Sequence, residues 1–192
     1  MLPPAYFPVG LNLAGRRCVV IGPADDEEAI GKERALREAG ADVRWLHDPA
    51  AVTEAGVSDA FFVLSTPQDA GLSARLRLWA DRHRFLLCTI DQPAYGFVAM
   101  QAIVAAGPAR IAISTGGVSP RVGGILRAAL QDALDSRFVR FLTALAERRR
   151  TSRAANPGDA AARRETMMEA AEGFEVAVQL KYPAWFTTES KS

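Results

Sequence analysis

The residue best placed to move a proton is an acid that closes a buried apolar run. Phe85-Leu86-Leu87-Cys88-Thr89-Ile90 has the unbroken apolar character of a strand covered on both faces, and it stops at Asp91-Gln92-Pro93. Ligands of open α/β sheets lie outside the carboxyl ends of the strands, so Asp91 stands where a carboxylate can act as a general base. It also suits the start of a turn ahead of Pro93. A second cluster follows the apolar run Ile111-Ala112-Ile113: Ser114-Thr115-Gly116-Gly117, then Ser119-Pro120. Ser119 fits a helix cap and Pro120 a first helical turn, and backbone amides at such a turn make an anion site. Arg127 lies on the helix that follows. A third cluster is acidic. Gly22 closes an apolar run and is followed by Pro23-Ala24-Asp25-Asp26-Glu27-Glu28. Acids at a helix start stabilise the helix dipole, and the same acids repel a phosphate. The loop therefore reads either as a working nucleotide loop or as a well-capped helix start that binds nothing. Asp48 closes a further strand.

Elements able to position these residues follow in order. Arg17 to Gly22 is a buried strand, Glu27 to Ala39 a helix ending at Gly40, and Asp42 to Leu46 a second strand with His47-Asp48-Pro49 at its end. That strand–helix–strand unit is where a Rossmann domain holds its dinucleotide. Asp59 to Ser65 is a third strand, and Leu72, Leu76, Leu78 and Trp79 mark a helix whose stripe is read as core. Phe97 to Val104 and Ala109 to Ser114 read as two strands about Gly107-Pro108. From Arg121 the chain reads as helical, with a last helix from about Asp159 to Leu180 and a frayed polar tail. Met1 to Asn12, with Pro3, Pro4 and Pro8, reads as an extended lead-in. Arg148-Arg149-Arg150 with Arg153 is either a solvated helix end or a site for a polycarboxylate.

Composition narrows the classes. The chain has 192 residues, 49% of them apolar, so it can build a real core. Its 23 basic and 22 acidic residues lack the basic surplus of a nucleic-acid binder. Cys18 and Cys88 each fall in a buried strand and read as small core residues. With His47 and His83 they make no metal-ligand spacing, so no metal site is expected. The N-terminus shows prolines in place of a basic segment and an apolar run, and nothing reaches membrane-spanning length. A cytoplasmic protein is the expectation.

These motifs together resemble the N-terminal module of siroheme synthase and the precorrin-2 dehydrogenases. That pattern runs N-V-V-D-x-P at a strand end, then F-x-x-P, then I-S-T-G-G-x-S-P leading into a helix with an arginine. Here it reads Thr89-Ile90-Asp91-Gln92-Pro93, then Phe97-Val98-Ala99-Met100, then Ile113 to Pro120, with Arg127. Tyr6-Phe7-Pro8-Val9 and Leu13-Ala14-Gly15-Arg16 extend the likeness. The departures are specific. Two further glycines of the family are absent after Gly22, Ser65-Thr66-Pro67-Gln68 replaces A-T-D-D, and the connection from His47 to Asp59 is short.

The resemblance implies an α/β fold: a Rossmann-like parallel sheet with a shortened edge (1–93), a dimerisation region (94–135) and a C-terminal helical region (136–192). It implies oxidation of precorrin-2, a polycarboxylate tetrapyrrole, to sirohydrochlorin with NAD, with ferrous iron as a further substrate where a member is also a ferrochelatase. By that likeness Asp91 is the catalytic base. Gly22, Glu27, Glu28 and Asp48 fall at positions that touch NAD, and Ser114, Thr115, Gly116, Gly117 and Arg127 at the substrate cleft of a homodimer. The acidic loop and the missing carboxylates favour an alternative: a non-redox relative that binds, delivers or chelates a tetrapyrrole without NAD.

Overall fold

In a computed structural model, residues 6–188 are described. The expected lead-in at residues 1–5 and the tail past Thr188 lie outside them. The chain divides into two compact units. The first runs to Ile103 and takes in Ile111–Ala128, and the second holds Val104–Arg110 and the chain from Ala129 onward.

The first unit is built on four short strands, β1 (Arg17–Ile21), β2 (Asp42–Leu46), β3 (Phe62–Ser65) and β4 (Leu86–Thr89), in the order β2-β1-β3-β4. All pairs are parallel, with Val20 opposite Trp45 and Leu64, and Leu64 opposite Cys88. Parallel strands need crossover connections, and helices α1 (Glu27–Glu38) and α2 (Ala70–His83) supply two of them. The pleat then sorts the side chains. Val19, Ile21, Val63 and Leu87 pack with Leu72, Leu76 and Ala80 of α2 on one face. Cys18, Val20, Leu64 and Cys88 pack with Ala29 and Leu36 of α1 on the other. This two-sided burial is why these strands read as continuous apolar runs. It also explains both cysteines, which are buried core residues, with burial pushing the Cys88 thiol up to about 11.

The connection from β2 to β3 holds two 3₁₀ turns, Pro49–Ala51 and Glu54–Gly56, and no strand, so β2 is an edge. Within α2, Leu78 is a correction: it is 67% exposed, while Leu72 and Leu76 are fully buried. Leu78 lies two residues beyond Leu76, which turns it onto the outer side of a 3.6-residue helix.

Beyond β4 the strand expected over Phe97–Val104 is also corrected. Residues 97–101 are not strand, and β5 (Ala102–Ala106) pairs with β6 (Ala109–Ile113) about Gly107, at φ +55°. The cause is a tight return against β4. Phe97 N and Val98 N both donate to Leu87 O, and a Cβ on Gly96 would stand 3.2 Å from that oxygen.

Helix α3 (Pro120–Ala133) starts where Ser119-Pro120 predicts, with Val122 N donating to Ser119 Oγ. In the second unit α4 (Ser136–Ala155) and α5 (Ala160–Ala170) are capped by Asp135 and Asp159, each accepting two backbone N–H bonds. The last helix expected to reach Leu180 ends ten residues early. Gly173 turns at φ +76°, and residues 175–183 follow without helix or strand pairing; α6 (Ala184–Thr188) comes after. From Phe174 the large apolar positions are Val176, Val178, Leu180 and Tyr182, an alternation of period two that cannot form one helical face.

The sheet should be sensitive to its interior and indifferent to its outer helix face. Leu76→Ala is expected to cost 2–5 kcal/mol, on the order of other buried leucine truncations. Leu78→Ala should stay within about 0.5 kcal/mol. Urea unfolding of both variants checks this.

Candidate functional site

Four parallel strands end at the carboxyl edge of the sheet, and residues the sequence singles out follow them: Gly22 after β1, Asp48 after β2, Thr66 and Gln68 after β3, and Asp91 after β4. Asp91 follows β4 in a left-handed turn at φ +56°. Thr89 Oγ1 donates to Gln92 O at 2.7 Å, and Ile90 N donates to Ser65 O, which ties this turn to the end of β3. Aspartate and asparagine tolerate such a φ better than other side chains. The Asp91 carboxylate is exposed, and Gln68 Nε2 donates to its Oδ2 at 3.3 Å. Gln68 replaces a carboxylate of the A-T-D-D pattern. A neutral donor there orients Asp91 without adding a second negative charge. Asp91 thus forms the turn and faces solvent at the strand end.

Gly22 follows β1 and is buried. A Cβ here would overlap Thr66 Oγ1 and stand 3.1 Å from Ala29 Cβ and 3.4 Å from Asp26 Oδ2. Its carbonyl accepts from Trp45 Nε1 at 2.8 Å. The glycine is therefore required by packing between the chain's own groups. Asp26 is the centre of that packing. Its Oδ1 accepts from Glu28 N at 2.9 Å, capping α1, and its Oδ2 accepts from the Thr66 hydroxyl at the end of β3. The Thr66 bond and the α1 amides hold its carboxyl below the ordinary carboxylate range. Asp26 was not among the residues assigned to the cofactor; its signal was its position one residue before the helix.

The remaining assigned positions are accounted for individually. Glu27 and Glu28 are exposed in the first turn of α1, and Glu28 pairs with Lys32 at 3.0 Å. Asp48 is exposed beyond β2, with Oδ1 accepting from Ala50 N at 2.9 Å. Ser114 to Gly117 form a turn that bonds to itself. Gly116 and Gly117 have φ +61° and +79°, Gly116 N donates to Ser114 Oγ, and Thr115 Oγ1 donates to Ser119 O at 3.1 Å. Ser119 N donates in turn to Thr115 Oγ1 at 3.4 Å. Several amides read as an anion site thus have internal partners. Arg127 is exposed, two turns into α3. Hydrogen bonds run within the Asp91 cluster and within the Thr115 cluster, and none joins the two among the described residues.

Among the described residues no group of three His, Cys, Asp or Glu side chains could hold a metal ion, and no helix is long and apolar enough to cross a membrane.

Comparison with known proteins gives consistent relatives. A siroheme synthase of Xylella fastidiosa is 30% identical over 177 residues, which is 83% of this chain and 37% of that protein. The siroheme synthase of Nitrosococcus oceani is 27% identical over 154 residues, 71% of this chain and 32% of that protein. The chain thus spans about a third of the length of these relatives. The solved structure of SirC, precorrin-2 dehydrogenase, superposes with a TM-score of 0.69 at 18% identity, covering 88% of this chain and 90% of that one. At that identity the likeness is one of fold. No family model matches.

Asp26 generates a pH-dependent expectation. Its folded carboxyl is depressed, so the cap contributes stability above the unfolded carboxylate pKa and loses it as pH falls through the folded value. Asp26→Ala should cost about 1 kcal/mol at neutral pH, typical of a lost cap, with the gap from wild type closing in strong acid. Thermal unfolding against pH measures it; a gap that stays constant into strong acid would contradict the assignment.

Proposed function

The chain is a homologue of the N-terminal region of siroheme synthase with the fold of a precorrin-2 dehydrogenase, and from this kinship we propose that it oxidises precorrin-2 to sirohydrochlorin in siroheme biosynthesis. The observation that carries the reading is Asp91, exposed at the carboxyl end of β4 where the family pattern has its acid. Oxidation removes a hydride and a proton from the tetrapyrrole. Asp91 accepts the proton: Gln68 holds one carboxylate oxygen through a neutral amide, and the other remains open to a substrate. Arg127, exposed on α3, is suited to a substrate carboxylate.

NAD, when bound, supplies the acceptor for the hydride. The backbone at Gly22, the amides of the first turn of α1, and Asp48 are the groups of this chain that would hold it. Their fit has one condition. The Asp26 carboxylate already lies against the α1 N-terminus, so it must turn away before a diphosphate can enter. That occupancy favours a second reading, in which the chain binds, delivers or chelates its tetrapyrrole without NAD, ferrous iron then being the metal substrate.

Self-association is part of the proposal. Val122 and Ile125 are 48% and 60% exposed three residues apart on α3, and Val118, 81% exposed, lies in the turn just before it. In the second unit Val176, Val178, Leu180 and Tyr182 are exposed in a segment without helix or strand pairing. Apolar surface of this extent suits a second copy of the chain.

Asp91→Asn preserves the left-handed turn and removes the base. Turnover of precorrin-2 should fall about 10²–10⁴-fold, with the melting temperature nearly unchanged. Retained turnover would remove Asp91 from the chemistry. Asp26→Asn keeps an amide oxygen for the cap and deletes the charge; NAD should bind it about tenfold more tightly, ~1.4 kcal/mol. Tight NAD binding to wild type that ignores both salt and this substitution would refute the obstruction. Light scattering should give a dimer mass, and Ile125→Arg should shift it to the monomer.

A further inference from the structure

A second polar site lies wholly within the second unit, in the cleft of the α4–α5 hairpin. Arg149, Ser152 and Arg153 of α4 and Arg163, Arg164 and Met167 of α5 line a cavity of about 360 Å³. Helical spacing creates it: residues 149, 152 and 153 share one face of α4, and 163, 164 and 167 share one face of α5. Four arginines therefore line one concavity with no acidic residue among its lining residues. On α4, Glu147 pairs with Arg150 at 2.6 Å, and neither residue lines the cavity.

Repulsion alone would splay such a cluster, yet one member is fixed in place. Arg163 Nη1 donates to Asn156 O at 2.6 Å and Pro157 O at 2.9 Å, across the turn that joins the helices. The independent observation is Ser152. It is only 6% exposed, it lines the cavity, and its hydroxyl has no hydrogen-bond partner. A buried hydroxyl without a partner is costly, and a ligand oxygen would satisfy it.

We propose that this cleft binds a small, multiply charged oxyanion, either phosphate-bearing or polycarboxylate. Guanidinium forks match both groups, the serine hydroxyl completes the donor set, and the volume is that of a small-molecule site. The site is independent of Asp91 and of the proposed dehydrogenation.

The test is calorimetric titration of the full chain with inorganic pyrophosphate and with citrate, at constant ionic strength set by potassium chloride. Saturable binding of one anion per chain is expected, with Arg153→Gln and Arg164→Gln each weakening it about tenfold. Ser152→Ala should also weaken binding while the ligand-free melting temperature holds or rises, because it deletes an unpartnered hydroxyl. A purely structural serine would not separate those two readouts. Pyrophosphate alone binding assigns the site to phosphates, and citrate alone assigns it to carboxylates. Asp91→Asn should bind the same anion unchanged, so failure of the dehydrogenase reading leaves this result intact. No saturation, or binding indifferent to all three cleft variants, overturns the proposal.

Discussion

The Asp26 carboxylate is the contact on which the carboxyl edge of the sheet depends. It joins three pieces of chain that the sheet brings together: the amide of Glu28 at the start of α1, the Thr66 hydroxyl at the end of β3, and the space left by the missing side chain of Gly22. In a Rossmann unit, a glycine after the first strand and bare helix amides allow a phosphate to approach. Here the chain supplies its own anion at that place. The glycine is kept, but what it admits is Thr66 and Asp26. The same interaction therefore stabilises the fold and, under the proposed function, sets the cost of admitting NAD.

Much of the fold could be read from the sequence, because it rests on local rules. Two-sided burial gives Cys18–Ile21, Phe62–Leu64 and Leu87–Cys88 their continuous apolar character. Ser119-Pro120 marks the start of α3 by capping chemistry. Gly40, at φ +83°, marks the end of α1. The misreadings also have physical causes. Leu78 lies near the stripe of α2 but on its outer side, and the segment after Gly173 changes from helical to alternating spacing.

The candidate site was legible in its positions and not in its pairings. Asp91 could be placed at a strand end from the apolar run before it. Its partner Gln68 comes from another strand end, 23 residues earlier, and only the β3–β4 register brings the two within reach. Thr66 and Asp26 are 40 residues apart and meet through the β1–β3 register. The four-arginine cleft was visible only in its first half, since Arg163 and Arg164 join Arg149 and Arg153 through the turn at Asn156-Pro157. Side-chain contacts across long separations need the topology before they can be seen.

The proposed function requires that a Rossmann-like strand end holding an internal anion still support a dehydrogenation. Its most direct measurement is anaerobic incubation of the wild-type protein with precorrin-2 and excess NAD, following both chromophores by absorbance. The account predicts sirohydrochlorin and NADH appearing in equal amounts, more slowly at low NAD than saturation would give. Tetrapyrrole binding with no NADH formed at any NAD concentration would contradict it and leave a carrier or chelatase in its place.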